Sequence, residues 1–161
     1  MEFLHAHDCI HRDIKPDNFM VRFDKKIHLI DFGLAQYFRD PITHIHIPQT
    51  SGNDLVGTIW YTSINSHMGI QLSRRDDLES LAYTLMYLVR GNLPWQGISI
   101  FRSRRRAVLR RKQEIRKYLS DTIPSGLTTF LDYVQSLSFQ ECPDYLHLHD
   151  LVQKLPIWAL R

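Results

Sequence analysis

Apolar residues recur at helical spacing through Leu78, Leu81, Ala82, Leu85, Met86, Leu88 and Val89, the interval that lines one face of a 3.6-residue helix. A cap-like start at Ser73-Arg-Arg-Asp76 and a stop at Gly91 bound the run, which predicts a buried helix with both ends specified. Similar patterns predict helices over 99–119, over 127–138 after Pro124-Ser-Gly, and over 144–155 before Pro156. Residues 1–7 read as the last turns of a helix whose beginning is absent. β-Branched and apolar residues alternate from Phe19 to Phe23 and again from Lys26 to Asp31, around Asp24 and Lys25, which predicts a short hairpin. Between Gly33 and Ser73 the periodicity is lost and Pro41, Pro48, Gly52, Gly57 and Gly69 accumulate. A long irregular segment is expected there, and such segments in compact domains are usually functional or disordered.

At 161 residues with 43% hydrophobic side chains, the chain can bury a sizeable core as one soluble globular domain, which excludes collagen, coiled coil and wholesale disorder. Its longest nearly apolar stretch, Leu81 to Val89, is nine residues, against roughly 20 needed to cross a bilayer. No membrane span is expected. The N-terminus carries Glu2, His5, His7 and Asp8 where a secretory signal needs a basic start and a long apolar centre, so an intracellular location, cytoplasm or nucleus, is expected. Cys9 and Cys142 lie 133 positions apart, which suits reduced thiols in that setting.

The net charge of +3 conceals an asymmetry. Nine of the 20 lysines and arginines fall between Arg102 and Lys117, where Glu114 is the only acid; elsewhere 11 basic residues face 16 acidic ones, a net −5. Such a stretch suggests a local anion site, a targeting signal or a phosphate-reading surface, with a solvated helix face as the plain alternative. Ile100, Phe101, Val108, Leu109, Ile115 and Leu119 are interleaved with the charges, so the segment is expected to pack as a helix either way.

The strongest chemical signal is His11-Arg-Asp-Ile-Lys-Pro-Asp-Asn18 before the hairpin and Asp31-Phe-Gly33 after it. The pair resembles the catalytic loop and magnesium loop of protein kinases. The resemblance implies that Asp13 accepts the proton of an attacking hydroxyl and holds it in line. It implies that Lys15 neutralises charge on the transferred phosphoryl group, and that Asn18 and Asp31 are the hard oxygen donors for magnesium. Gly33 is read as easing the turn after Asp31. A lone Asp-Phe-Gly, or a lone loop aspartate, is weak evidence; both motifs in order, separated by two short strands, are not.

Downstream, Phe19-Met20, Tyr37-Phe-Arg-Asp40, Thr43-His-Ile-His-Ile-Pro48, Gly57-Thr58, Ser63-Ile-Asn65, His67-Met-Gly-Ile70, Ser73-Arg-Arg-Asp-Asp-Leu-Glu-Ser-Leu81 and Leu93-Pro-Trp-Gln-Gly97 look like the casein kinase I family of serine/threonine protein kinases. In that family Ser-Ile-Asn replaces the usual Ala-Pro-Glu. Asp77 matches the buried aspartate that hydrogen-bonds the catalytic-loop backbone, and Thr58 the threonine that contacts the base and the lysine. Gln96, Gly97 and Arg106 fall on positions of a pocket that reads a phosphate already present on the substrate. Trp60 sits where the family's Gly-Thr-Ala-Arg-Tyr pattern supplies that pocket's arginine, and an indole cannot pair with a phosphate dianion. His44 with His46, and His147 with His149, have only HxH spacing, which is poor evidence for zinc.

A kinase also needs a Gly-rich loop over the ATP phosphates, a strand lysine and a helix glutamate, and none occurs in these 161 residues. The implied fold is α+β, mainly α: the C-terminal, larger lobe only of a protein kinase, as one partial domain over 1–161. The implied activity is phosphoryl transfer from ATP with Mg2+ to Ser or Thr of protein substrates, including acidic or already phosphorylated ones. For the lobe alone little or no turnover is expected, and uncovered apolar surface invites a partner. The alternative is a kinase-like interaction module without catalysis. A nucleic-acid role for the Arg102–Lys117 run has no aromatic or motif context to support it.

Overall fold

The computed structural model describes residues 1–98, 104–118 and 123–155. In chain order these form α1 (Glu2–Ala6), β1 (Cys9–Ile10), a 3₁₀ turn (Pro16–Asn18), β2 (Phe19–Val21), β3 (Ile27–Leu29), β4 (Gln36–Tyr37), α2 (Ile64–Met68), α3 (Arg74–Arg90), α4 (Arg104–Gln113), a second 3₁₀ turn (Ile115–Lys117), α5 (Ser125–Ser136) and α6 (Tyr145–Gln153). The chain is mainly helical, with two small two-stranded sheets. No helix among the described residues is long and apolar enough to cross a membrane.

The organising element is α3. The Asp76 carboxylate accepts the Ser73 backbone N–H at its start (2.8 Å), and Gly91 at its end takes a left-handed φ of 80° that a residue with a Cβ adopts only at a cost. Leu78, Ala82, Tyr83 and Met86 of α3 are buried against Leu127, Phe130, Leu131 and Val134 of α5, with Leu148 of α6, Trp95 and Val108 closing the same core. Each large side chain removed from water there contributes on the order of 2 kcal/mol. A smaller cluster of Ile10, Phe38 and Leu72 ties β1 and the residue after β4 to the approach of α3.

Two short ladders bring the chemical motifs together. Cys9 pairs with Tyr37 and Ile10 with Gln36, antiparallel; Phe19 pairs with Leu29, Met20 with His28 and Val21 with Ile27. Residues 11–18 run from the first ladder to the second, and residues 30–35 run back. The predicted hairpin is therefore present and closes at Asp24-Lys25, where Lys25 sits at φ +62° and the Arg22 N–H bonds the Lys26 carbonyl (3.0 Å).

Two expectations need correction. The stretch from Gly33 to Ser73 is not wholly irregular: it holds β4 and α2. Two and five residues are too few to express a period, although α2 has its own signals, with the Ser63 hydroxyl accepting the Ser66 N–H (3.1 Å) and left-handed Gly69 closing it. The helix expected over 99–119 is Arg104–Gln113 followed by a 3₁₀ turn. Val108 and Ile115 of the expected apolar stripe are buried, while Ile100, Phe101 and Leu119 lie outside the described residues.

Gly57 and Gly91 separate two effects of glycine. Both have positive φ, but a Cβ on Gly57 would collide with the Arg12 carbonyl oxygen, whereas Gly91 faces open space. Gly91→Ala is expected to cost about 1–2 kcal/mol from its backbone conformation alone. Gly57→Ala is expected to cost clearly more and to lower the thermal midpoint by roughly a further 2–8 °C. Equal melting temperatures for the two variants in calorimetry would contradict the close approach.

Candidate active site

A carboxylate buried at the start of α3 fixes the first motif. Asp77 is 1% exposed, and a charge so placed is tolerable only with its oxygens hydrogen-bonded. Its Oδ2 accepts the His11 N–H (2.6 Å) and its Oδ1 the Arg12 N–H (2.8 Å). His5 of α1 also reaches Oδ2 through Nε2 (3.1 Å), and its Nδ1 meets the Tyr145 hydroxyl of α6 (2.7 Å). Burial pushes the Tyr145 hydroxyl pKa up, so the phenol stays protonated. Arg12, gripped in this way, adopts φ +68°. Its guanidinium crosses to the second motif, donating to the Leu34 carbonyl (2.6 Å) and to Gln36 Oε1 (2.6 Å).

The fully buried His11 ring joins the motifs directly. Its Nε2 donates to the Ile30 carbonyl (3.0 Å) and its Nδ1 accepts the Asp13 N–H (3.3 Å), so each ring nitrogen has one role. The Ile30 N–H in turn bonds the Asn18 carbonyl (2.9 Å).

Asp13 sits inside this frame with both oxygens occupied. Thr58 gives Oδ1 its backbone N–H and its hydroxyl, each at 2.8 Å. Lys15 Nζ gives Oδ2 a charged contact at 2.8 Å and lies 3.3 Å from Thr58 Oγ1. The Asn18 amide donates to the Asp13 carbonyl (2.9 Å) and lies 3.4 Å from its Oδ2. Burial would raise the Asp13 pKa, but the Lys15 and Thr58 hydrogen bonds outweigh it and hold the carboxyl below its ordinary value. The bond to Asp13 raises the Lys15 pKa, with help from the charges of Asp17 and Asp31.

Asp31 is exposed at φ +63°, so the unusual backbone conformation falls on the aspartate and not on the glycine of its motif. Gly33 contributes space instead: its N–H bonds Asp31 Oδ1 (3.3 Å), and a Cβ there would lie 3.2 Å from that oxygen. Asn18 uses its amide N–H groups on Asp13, which leaves its Oδ1 without a protein donor among the described residues. One amide oxygen and one carboxylate suit magnesium, which binds through one or two protein oxygens and otherwise keeps water or phosphate. Among the described residues no group of three or more His, Cys, Asp or Glu side chains could hold a metal. His44 instead bonds Asp8 (3.1 Å), and His46 Nδ1 bonds the Ile47 carbonyl (2.8 Å).

The Ser63-Ile-Asn65 segment has its own buried acid. Asp76 Oδ1 accepts from Ser63 Oγ (2.7 Å) and from Asn65 Nδ2 (2.9 Å), and burial, against these bonds, raises its pKa to about 6. The Ile64 N–H goes to Glu79 (3.1 Å).

Of the three residues expected to read a substrate phosphate, Gln96 and Gly97 do not line the cavity beside Arg106. Gln96 turns inward, its Oε1 accepting the Leu93 N–H (2.8 Å); Gly97 is exposed at φ +82°; Arg106 is exposed beside a cavity that it lines with His67, Arg105 and Leu109. Trp60 is half-buried and gives its carbonyl to Trp95 Nε1 (2.7 Å). Three residues that shape the site carry no motif to find them by: His5, Tyr145 and, within the basic run, Lys112. The protein kinase domain family model matches residues 1–146.

Two measurements check this electrostatic picture. Thr58→Val removes the hydroxyl bond to Asp13, so the Asp13 carboxyl titration, followed by carbon-13 NMR, is expected to shift upward by about half a pH unit or more. An unchanged midpoint would deny the contact. Asp76 has a folded-state pKa of about 6, above its ordinary 3.8, so the folded form binds the proton more tightly and the benefit is lost as pH rises through about 6. Wild type compared with Asp76→Asn by denaturant unfolding should therefore lose on the order of 2 kcal/mol between pH 4 and pH 7; a flat difference would contradict it.

Proposed function

We propose, since this chain belongs to the protein kinase family, that it is a casein kinase I-like serine/threonine protein kinase lobe whose residues 1–161 form the larger half of a phosphoryl-transfer cleft. The observation that carries this reading is the Asp13 carboxylate, held by Lys15 and Thr58 beside Asn18 and Asp31. In the proposed reaction a Ser or Thr hydroxyl bonds Asp13, which aims its oxygen at the γ-phosphorus of ATP. The oxygen–phosphorus bond forms as the bond to the ADP oxygen breaks, and the hydroxyl proton ends on Asp13. A carboxylate with a lowered pKa is a weak base, so Asp13 serves mainly to orient the hydroxyl, which fits a transition state that asks for little proton transfer. Lys15 offsets negative charge where the phosphoryl group passes. Asn18 and Asp31 would hold magnesium, whose chemistry here is to neutralise phosphate oxygens.

The casein kinase I assignment is supported by the use made of Ser63 and Asn65, both spent on Asp76, and by the match of motifs along the chain. Trp60 in place of the pocket arginine favours acidic substrates over recognition of an existing phosphate. The larger-lobe reading is supported by the outer face of the hairpin, where Met20, Val21 and Ile27 are 51%, 68% and 69% exposed beside an apolar cavity of about 350 Å³ that Phe19, Leu81, Leu85 and Leu88 help to line. Apolar surface of this kind marks a contact site.

The test is transfer of labelled phosphate from ATP to casein by the chain joined to a smaller lobe of a related kinase. Turnover is expected there, falling about 10²–10⁴-fold in Asp13→Asn, with no turnover from the 161 residues by themselves. An Asp13→Asn variant as active as wild type would overturn the assignment, and turnover by the 161 residues that vanishes in Asp13→Asn would overturn the half-cleft.

A further inference from the structure

Within the basic run, most described cations are exposed and several form surface ion pairs: Arg110 and Lys117 with Glu114, and Arg116 with Asp132. Lys112 is different, at 0% exposed. Its Nζ donates to the carbonyls of Ile59 (3.3 Å) and Thr62 and lies over the rings of Tyr83 and Trp95, 4.7 and 5.3 Å from their centroids. Among the described residues its hydrogen-bond partners are carbonyl oxygens and not a carboxylate. Burial lowers its pKa to about 7, with Glu79 pulling the other way. A buried ammonium is an expensive way to fill space, and an apolar side chain of the same length would pack at less cost.

Its position offers a reason. The carbonyls it holds flank the segment that follows Thr58. Tyr61 and Thr62 both send their N–H groups back to the Thr58 carbonyl, each at 2.9 Å. The Ile59 carbonyl also takes His67 Nε2 (3.1 Å), and the Trp60 carbonyl takes Trp95 Nε1 (2.7 Å). Side chains of α2 and α4 and the indole of Trp95 thus hold three carbonyls of one turn, and Thr58 at the head of that turn grips Asp13. We propose that Lys112 is a positioning residue: by holding the carbonyls of Ile59 and Thr62 it fixes the Thr58 turn and, through it, the orientation of the Asp13 carboxylate. The proposal rests on the reading of Asp13 as the catalytic carboxylate for its significance, but its geometry stands apart from any activity.

The test is therefore made without turnover, on the whole chain, by carbon-13 titration of Asp13 and amide exchange of Tyr61 and Thr62. Lys112→Met keeps the length and removes the donor; Lys112→Gln keeps a donor; Val108→Ala, on the same helix and equally buried, is the packing control. Lys112→Met is expected to raise the Asp13 midpoint in the direction set by Thr58→Val and to speed exchange at Tyr61 and Thr62 by about tenfold or more. Lys112→Gln is expected to restore much of both, and Val108→Ala to leave the midpoint in place despite its loss of stability. An unchanged midpoint in folded Lys112→Met would overturn the proposal. So would a Lys112→Met chain that cannot fold while Val108→Ala can, since Lys112 would then be a requirement of stability. Loss of casein phosphorylation has no bearing on either outcome.

Discussion

A carboxylate buried in the first turn of α3 is the constraint on which the site depends. A carboxylate buried there is costly without hydrogen-bond donors, and the backbone N–H groups of His11 and Arg12 supply two of them. Satisfying that carboxylate delivers Asp13, the next residue, to a defined place and holds Arg12 in a left-handed conformation that it would not choose alone. From there the geometry propagates. The Arg12 guanidinium and the His11 ring reach the Ile30–Leu34 stretch, and the Ile30 N–H bond to the Asn18 carbonyl sets Asp31 one residue from that link.

The same device recurs around the substrate side. Asp76 takes Ser63, Asn65 and Ser73; Glu79 takes Ile64 and Tyr83; Lys112 takes Ile59 and Thr62. In each case at least one partner of the buried group comes from the segment between Ile59 and Asn65, the turn after Thr58 and the start of α2. Long loops are normally the mobile part of a domain. Here the cost of burying charge without partners keeps residues 56–66 in one arrangement, since a half-satisfied polar network is worse than none. Apolar packing of α3 on α5 and α6 gives the scaffold its stability. The buried polar groups decide which conformation of the loops that scaffold supports.

Much of the scaffold was legible in the sequence, because a 17-residue helix with a serine-aspartate start and a glycine stop expresses both its period and its ends. The hairpin was legible through alternation around Asp24-Lys25. Two-residue strands and a five-residue helix were not, since neither is long enough to show a period, and the pairing of Cys9 with Tyr37 joins residues whose partnership depends on tertiary folding. Asp13, Lys15, Asn18 and Asp31 were legible as a motif, yet the motif says nothing of the acidity of Asp13, which the hydrogen bonds from Lys15 and Thr58 set against its burial. Lys112 was hidden by its neighbours: eight other basic residues in the same run made a solvated face the plain reading, and only its tertiary contacts with the Ile59 and Thr62 carbonyls and the Tyr83 and Trp95 rings set it apart. His5 and Tyr145 left no local signal, because their bond spans 140 positions.

The central claim is that Asn18 and Asp31 face one divalent cation beside Asp13. Manganese bound with ATP broadens the NMR signals of nuclei near it, and it can be titrated into the nitrogen-15-labelled chain even when binding is weak. The account predicts selective broadening at Asn18, Asp31 and the residues beside them, lost in Asp31→Asn. Broadening centred elsewhere, or unaffected by that substitution, would contradict it.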